Sequence, residues 1–322
     1  MGMEVIRVEP PEHLKKGDLF REIPERDSPY YPMLNRGKKS VTLNLKTEKG
    51  RELFLRLVKE ADVVLEGFRP GVMKRLGIDY EVLKEVNPGI ILVSISGYGQ
   101  TGPYRDRAGH DLNYLGYSGI LGLNAPADGG LPVMPPVQIA DVAGGTLPAV
   151  IGTLAALIER EKTRKGRWVD IAMLDGSLFL MGLAFFDWGI GKPISPGRPP
   201  ISRGAVNFNV YETKDGRHLA LGALEDNFWY PFCEAIGKPE WKEIFGEEAG
   251  MRDESLIREL REIFLTKTRE EWLAFFEDHD VCLSPVYSLD EVAEDPYARE
   301  RGIFRWVPLE GGKRFPLIRF PV

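Results

Sequence analysis

Four histidines, His13, His110, His218 and His279, occur in 322 residues, so each imidazole can be weighed individually. His13 lies between Glu12 and Leu14 ahead of two lysines, His218 follows Arg217, and His279 stands between Asp278 and Asp280. His13 reads as a solvated loop residue, His218 as a half-exposed residue of a hairpin strand and His279 as part of a surface turn. His110 differs, because Gly109-His110-Asp111-Leu112-Asn113-Tyr114 follows a glycine-containing loop that leaves the apolar run Ile90–Ile95. In open α/β sheets, ligands bind where loops leave the carboxyl ends of strands. An imidazole placed there serves as a general acid or base; tied to Asp111, it would only order the loop.

Three carboxylates extend this reading. Asp141 begins an apolar helical pattern at Val142, where it reads as an N-cap that accepts backbone N–H bonds. A carboxylate held at a helix terminus is kept ionised by the dipole and the amide donors, which makes it a positioned base. Glu225 closes the segment Gly222-Ala223-Leu224-Glu225 ahead of a helix that Asp226 or Asn227 can cap, leaving its own carboxylate surplus to structure. Asp175 stands at a strand-to-helix junction before Gly176-Ser177, as a cap or as a carboxylate nucleophile at an exposed elbow.

Other chemistries find no support. The sequence has no GxxxxGK[ST] or first-strand GxGxxG phosphate loop, no CxxC, no HExxH and no GxSxG elbow. His110 has no second histidine at metal-ligand spacing, so no metal is expected. Lysine and arginine number 42 against 48 acidic residues, a net charge of −6 that argues against nucleic acid as a partner. Two cysteines, Cys233 and Cys282, cannot form a disulfide framework. A charge-dense start excludes a secretory signal, and no apolar run reaches the ~18 residues of a membrane span. The expectation is a cytoplasmic protein that does not engage a membrane.

The elements that must position these residues follow from periodicity. Strands are predicted at Val5–Val8, Ser40–Leu45, Val63–Leu65, Ile90–Ile95 and Val169–Ala172, with helices at Thr47–Ala61 and Tyr80–Val86. Alternation of the two implies βαβ units around a largely parallel sheet. Little regular structure is expected between Ser96 and Pro136, and two buried helices are expected at Asp141–Arg160 and Leu178–Phe186. The Gly- and Pro-rich stretch 189–204 reads as a linker between a large domain, 1–188, and a small α+β domain, 205–296, with 297–322 returning to the first. In the small domain Phe208–Thr213 and His218–Ala223 form a hairpin. Helices are predicted at Phe228–Ile236, Asp253–Phe264, Arg269–Glu277 and Leu289–Glu294, with a strand at Cys282–Val286. The fold class is thus α/β, a Rossmann-like large domain with a smaller α+β domain.

Three segments, Glu66-Gly67-Phe68-Arg69-Pro70-Gly71, Ser96-Gly97-Tyr98-Gly99-Gln100-Thr101-Gly102-Pro103 and Gly166-Arg167-Trp168-Val169-Asp170-Ile171-Ala172-Met173, resemble the family III coenzyme A transferase superfamily. Within it, the segments 109–114, Ala140-Asp141-Val142-Ala143-Gly144-Gly145 and Gly222–Glu225 resemble the alpha-methylacyl-CoA racemases. The resemblance implies an acyl-CoA substrate, no cofactor beyond the coenzyme A it carries, and a homodimer interlocked as linked rings. It implies that His110 and Asp141 are the acid/base pair and that Glu225 joins them from the other subunit's small domain. Contacts to the substrate are implied for Leu43, Asn44, Leu45, Lys46, Arg69 and Arg75, and for Gly109, Asp111, Leu112, Asn113 and Tyr114. Two departures stand out: relatives usually begin with a further strand and helix before the segment matching Met3–Pro10, and Pro10 replaces a basic residue. The resemblance therefore admits three activities: racemisation or epimerisation of a 2-methylacyl-CoA, CoA transfer through an acylated Asp175, or acyl-CoA binding by a truncated dimer without turnover.

Overall fold

A computed structural model describes residues 2–11, 30–126, 129–197, 204–308, 312 and 314–319. His13, Pro199 and Pro200 lie outside these, as do 127–128 of the stretch between Ser96 and Pro136 and 198–203 of the linker. The chain divides into two units, Met1–Asn124 with Leu131–Phe186, and Ala125–Gly130 with Asp187–Val322. The division falls beside the expected linker. Residues 297–322 group with the second unit, in place of the expected return to the first. Their strands β9 (Phe304–Pro308) and β10 (Arg314–Ile318) pair antiparallel with each other and form their own two-stranded sheet.

In the first unit, β1 (Ile6–Glu9) is followed by the short α1 (Tyr30–Asn35) and pairs parallel with β2 (Lys39–Thr42), and β3 (Val63–Glu66), β4 (Ile91–Ser96) and β5 (Trp168–Ala172) form a parallel sheet in that order. The parallel pairing thus comes in two sheets rather than one. β4 is the central member, and Ile91, Leu92 and Val93 are each at most 1% exposed. Burial of each such side chain is worth ~1.5–3 kcal/mol, which is why the run is apolar without alternation. Leu92 packs with Phe54 and Val58 of α2 (Glu48–Glu60) and Leu83 of α4 (Tyr80–Val86). Ile91 and Val93 face the other way, onto Ala149 and Ala156. Both helices begin where a side chain accepts an otherwise orphan amide: Thr47 from Gly50 at 3.1 Å and Asp79 from Val82 at 3.3 Å. The strand expected at Ser40–Leu45 stops at Thr42, because Asn44 turns the chain by accepting both the Thr47 amide and hydroxyl at its carbonyl.

Three expectations are corrected here. The stretch 96–136 contains α5 (Asp111–Ser118) and α6 (Ile120–Leu123); α5 is eight residues long and carries Asn113 and Gly116, so periodicity alone is too weak to reveal it. The helix expected at Asp141–Arg160 runs over Ala140–Thr163, opening as a π-helical turn (Ala140–Thr146) before α7 (Leu147–Thr163). It is not buried. Ala149 and Ala156 dock on the sheet, whereas Leu147, Ile151, Leu154 and Ile158 are exposed on this chain. These 24 residues are long and apolar enough to cross a membrane by length and composition, with one side occupied by the sheet. The helix expected at Leu178–Phe186 is two, α8 (Met173–Leu180) and α9 (Gly182–Gly189), and Phe179, Leu183 and Phe186 are likewise exposed.

The second unit builds an antiparallel sheet from β6 (Phe208–Glu212), β7 (His218–Gly222) and β8 (Leu283–Pro285). Against it lie α10 (Asp226–Ala235), α12 (Glu254–Phe264) and α13 (Arg269–Phe275), after the short α11 (Glu248–Met251). Trp229, Phe232, Phe264 and Trp272 fill its centre, with the Trp229 and Phe232 rings stacked at 5.5 Å. The predicted α14 (Leu289–Glu294) is capped by Ser288 and followed by α15 (Pro296–Glu300).

Candidate active site

The loop leaving β4 reaches α5 through His110, which is the N-cap residue of that helix. The His110 N–H donates to Asn113 Oδ1 at 3.0 Å, and its carbonyl accepts from the Asn113 and Tyr114 amides. Backbone capping by Asn113 therefore leaves the His110 imidazole exposed. Tyr114 is buried beneath the loop and donates to the Gly109 carbonyl at 2.7 Å. A methyl group on Gly97 would lie 2.4 Å from Tyr114 Oη, and one on Gly109 would lie 2.7 Å from both Tyr114 Cε1 and Tyr98 Oη. Only glycine at both positions lets the tyrosines hold the loop this tightly. Burial pushes the Tyr114 phenol up to about 12, so it stays protonated as a donor.

Asp141 lies in the π-helical turn. It is not the N-cap, a position held by Ile139, and among the described residues nothing donates a hydrogen bond to its carboxylate. Instead its backbone N–H donates to Asp111 Oδ1 at 3.0 Å. The expectation of a carboxylate kept ionised by amide donors is therefore overturned. Burial first, and then the Asp111 charge, raise its proton affinity, while His110 opposes them. The turn is fixed from behind by α8, where a methyl on Gly176 would lie 2.1 Å from the Gly144 carbonyl oxygen and one on Gly144 would lie 2.7 Å from the Met173 carbonyl oxygen. π-helical turns recur at functional sites because they re-aim a single side chain within a rigid helix.

The structure thus brings His110, Asp111, Asp141 and Tyr114 together. Leu112 is exposed on α5. The Asp111 and Leu112 amides, in the first turn of α5, have no partner among the described residues and are available to an oxyanion. The Asp141 amide is already occupied by Asp111 Oδ1. Asp175 sits exposed in the first turn of α8, with Ala172 as N-cap, so it does not cap. Glu225 belongs to the second unit and is itself the N-cap residue of α10, without a side-chain cap bond; Asp226 bonds the Asn227 amide. Its position is set by buried Asn207, which donates to the Ala223 carbonyl at 2.8 Å, and by the Gly222 amide bonded to the Cys282 carbonyl.

Of the segments expected to contact the coenzyme A of the substrate, Leu43 is buried and Lys46 is exposed, its amide bonded to Asn44 Oδ1. Leu45 packs with the α2 core. Arg69 and Arg75 are exposed at the end of β3 and on α3 (Val72–Leu76), and the Arg69 charge is felt by Tyr114. Glu66 Oε2 accepts the Phe68 amide at 2.7 Å, which fixes the turn that presents Arg69. Sequence reading missed three contributors. The Glu66 carboxylate takes a backbone amide and Gly176 admits a backbone carbonyl, relations that no spacing reveals. Arg105 stands in Tyr104-Arg105-Asp106-Arg107, where nothing in the spacing singles it out. Among the described residues, no group of three or more histidines, cysteines or carboxylates is arranged to hold a metal ion.

Comparison with known proteins shows what the whole chain is similar to. The chain is 34% identical to the human alpha-methylacyl-CoA racemase over 84% of this chain and 71% of that protein. It is 33% identical to the succinyl-CoA–D-citramalate CoA-transferase of Chloroflexus aurantiacus over 92% of this chain and 74% of that one. Among solved structures it superposes on Rv3272 of M. tuberculosis with a TM-score of 0.80 at 29% identity, covering 100% of this chain and 84% of the other. A CAIB/BAIF family protein from Brucella suis matches with a TM-score of 0.77 at 29% identity, covering 99% and 88%. The family model for CoA-transferase family III matches residues 1–322, and this chain belongs to that family.

Proposed function

We propose that the protein is an acyl-CoA racemase or epimerase that inverts the α-carbon of a 2-methylacyl-CoA by two-base proton transfer. The observation that carries this reading is the pairing of an exposed imidazole, His110, with a carboxyl, Asp141, whose proton affinity is raised and which feels the His110 charge. A thioester acidifies its α-hydrogen because the enolate spreads charge onto the carbonyl oxygen. Inversion needs one group to remove a proton from one face and another to return one to the opposite face. Neutral His110 takes the proton while protonated Asp141 gives one; in reverse, Asp141 carboxylate takes it and the His110 imidazolium gives it. The pair thus holds one exchangeable proton before and after inversion and two while the enolate stands, and a carboxyl pushed towards its protonated form suits this task. The amides of Asp111 and Leu112 would receive the enolate oxygen.

Glu225 enters as the group that steadies the imidazolium from a second copy of the chain. The exposed apolar faces of α7, α8 and α9 support a homodimer, since Ile151, Ile158, Phe179, Leu183 and Phe186 leave a contiguous sequence of helices without cover. Leu43–Lys46, Arg69 and Arg75 are assigned to the coenzyme A. A cytoplasmic setting accords with an acyl-CoA substrate.

A second reading is kept because Asp175 is exposed in the first turn of a helix that follows β5 directly, a fit position for a carboxylate nucleophile, and because CoA-transferases stand among the similar proteins. Proton NMR of a 2-methylacyl-CoA in deuterated water separates the readings. Racemisation gives loss of the α-proton signal, abolished in His110→Ala and Asp141→Ala and retained in Asp175→Asn. No exchange with the intact protein, together with hydroxylamine-trappable acylation of Asp175 in the presence of a carboxylic acid acceptor, establishes transfer instead. Tight binding of coenzyme A with neither activity leaves a non-catalytic acyl-CoA-binding protein.

A further inference from the structure

The turn Arg69–Gly71 holds an arrangement that the catalytic reading does not use. Gly71 adopts φ +80°, and a methyl group built on it would lie 3.3 Å from Arg75 Nη1 and 3.3 Å from Arg105 Nη2. Two guanidinium nitrogens therefore converge on one point above a residue that has no side chain, and they are at most twice that distance apart. The residues come from separate segments, α3 and the loop after β4, both in the first unit. Each is held in place. The Arg75 amide donates to the Gly71 carbonyl at 3.0 Å, and the Arg105 amide to the Gly102 carbonyl at 3.3 Å. The loop bearing Arg105 is anchored by Arg107, whose guanidinium lies 4.2 Å over the Tyr104 ring and donates to the Tyr117 hydroxyl.

Like charges brought this close repel unless an anion lies between them. Among the described residues Arg75 has no carboxylate partner, and Arg105 has Asp106, 3.7 Å from its other terminal nitrogen. That distance, on an exposed pair, neutralises little. Guanidinium groups are suited to phosphate because each presents parallel N–H donors to two oxygens. A side chain at position 71 would fill the space in which such an oxygen would sit.

We propose that Arg105 acts with Arg75 as a clamp on a phosphoryl group of coenzyme A, seated over Gly71. This rests on the acyl-CoA reading above and adds to it a residue and a specific recognition chemistry. The clamp makes separable demands on binding. Loss of Arg105 weakens coenzyme A and leaves pantetheine, which carries no phosphate, untouched.

Isothermal titration of the full chain with coenzyme A, dephospho-coenzyme A and pantetheine tests this. Arg105→Gln is expected to weaken coenzyme A on the order of tenfold, the effect of losing a charge-assisted hydrogen bond, and Arg105→Lys to weaken it less. Pantetheine affinity is expected to stay at the wild-type value. Retention of the loss with dephospho-coenzyme A assigns the clamp to the diphosphate, and its disappearance assigns the clamp to the 3′-phosphate; both support the proposal. Arg75→Gln combined with Arg105→Gln is expected to cost less than the two separate losses together, because both residues hold one group. Equal affinity of Arg105→Gln and wild type for coenzyme A, or equal losses for coenzyme A and pantetheine, overturns the clamp. Failure of the wild-type protein to bind coenzyme A at all overturns the acyl-CoA reading itself, so the two failures are distinct. Circular dichroism and thermal melting of Arg105→Gln at wild-type values confirm that the loss is not one of folding.

Discussion

Asp111 Oδ1 accepts the backbone N–H of Asp141 at 3.0 Å, across thirty residues of sequence. One carboxylate thus ties the loop that carries His110 to the π-helical turn that carries Asp141, and it does so through a backbone atom. The same negative charge raises the proton affinity of the Asp141 carboxyl. Asp111 is therefore a positioning residue with an electrostatic effect, and the two roles separate by substitution.

Asp111→Asn keeps an oxygen that can accept the Asp141 amide and removes the charge. Without that charge Asp141 protonates less readily, so the acid limb of the kcat/KM profile is expected to move to lower pH. Asp111→Ala removes the bond as well; a hydrogen bond to a charged group is worth ~1.5–3 kcal/mol, so kcat is expected to fall about tenfold or more. An acid limb in Asp111→Asn that coincides with wild type would show that Asp111 acts by geometry alone.

The close approach of α8 to the π-helical turn predicts a contrast between two glycines. Gly176→Ala would place its methyl 2.1 Å from the Gly144 carbonyl oxygen, and backbone must move. Overpacking of this kind costs about 1–3 kcal/mol, and here the displaced turn bears Asp141. Both the melting temperature and the rate of α-proton exchange are expected to drop. Gly116→Ala, in α5, meets nothing within 4 Å and has no positive φ. It is expected to raise stability by about 0.5–1 kcal/mol, since alanine restricts the unfolded chain. Melting curves for the two variants that move together would contradict the packing argument.

What the sequence could reveal followed from where side chains do the work. β4 announced itself as a run of Ile, Leu and Val because both its faces are covered. Leu289–Glu294 was legible because Ser288 and Glu291 form a reciprocal cap, with the Ser288 amide donating to Glu291 Oε2 at 2.8 Å. His110 and Asp141 stood out by residue type and position. The apolar helix after Asp141 misleads, because a pattern apolar on all sides does not distinguish a buried helix from one whose outer face is exposed. The state of Asp141 was hidden too: whether an amide caps its carboxylate, or a carboxylate takes its amide, depends on Asp111, which periodicity cannot place. Arg105 and Arg75 meet over Gly71 only through tertiary structure.

In the second unit, Arg269 is 2% exposed and all its donors are used, on Glu270, Glu291 and the Val286 carbonyl. The Arg269 guanidinium holds the Glu291 carboxyl well below its ordinary value, at about 2. A folded-state value below the unfolded one means that Glu291 stabilises the fold fully above pH 4.5 and loses that contribution as pH falls towards about 2. Glu291→Gln is expected to be less stable than wild type at neutral pH and to lose less stability on acidification across that window. Urea midpoints measured through the window test the sign. Parallel acid curves for the two proteins would remove Glu291 from the acid transition.

Because Glu225 lies in the second unit and His110 in the first, subunit mixing reveals whether one site draws on two copies. Suppose His110 of one subunit works with Glu225 of the partner. A dimer formed from one His110→Ala chain and one Glu225→Ala chain then has one site missing both groups and one site intact. If each site drew both groups from a single chain, every site in the mixed dimer would carry one defect. Refolding the two inactive variants together in equal amounts gives mixed dimers as half of the population, each with one good site, so about a quarter of wild-type α-proton exchange is expected to return. The mass of the assembly, read by light scattering, must be twice the 36.2 kDa of the chain for the experiment to apply. Phe179→Asp places a charge on the exposed apolar face of α8 and is expected to abolish both the doubled mass and the regained activity. Dimers that form but recover no activity on mixing would assign Glu225 to its own subunit's site or to none.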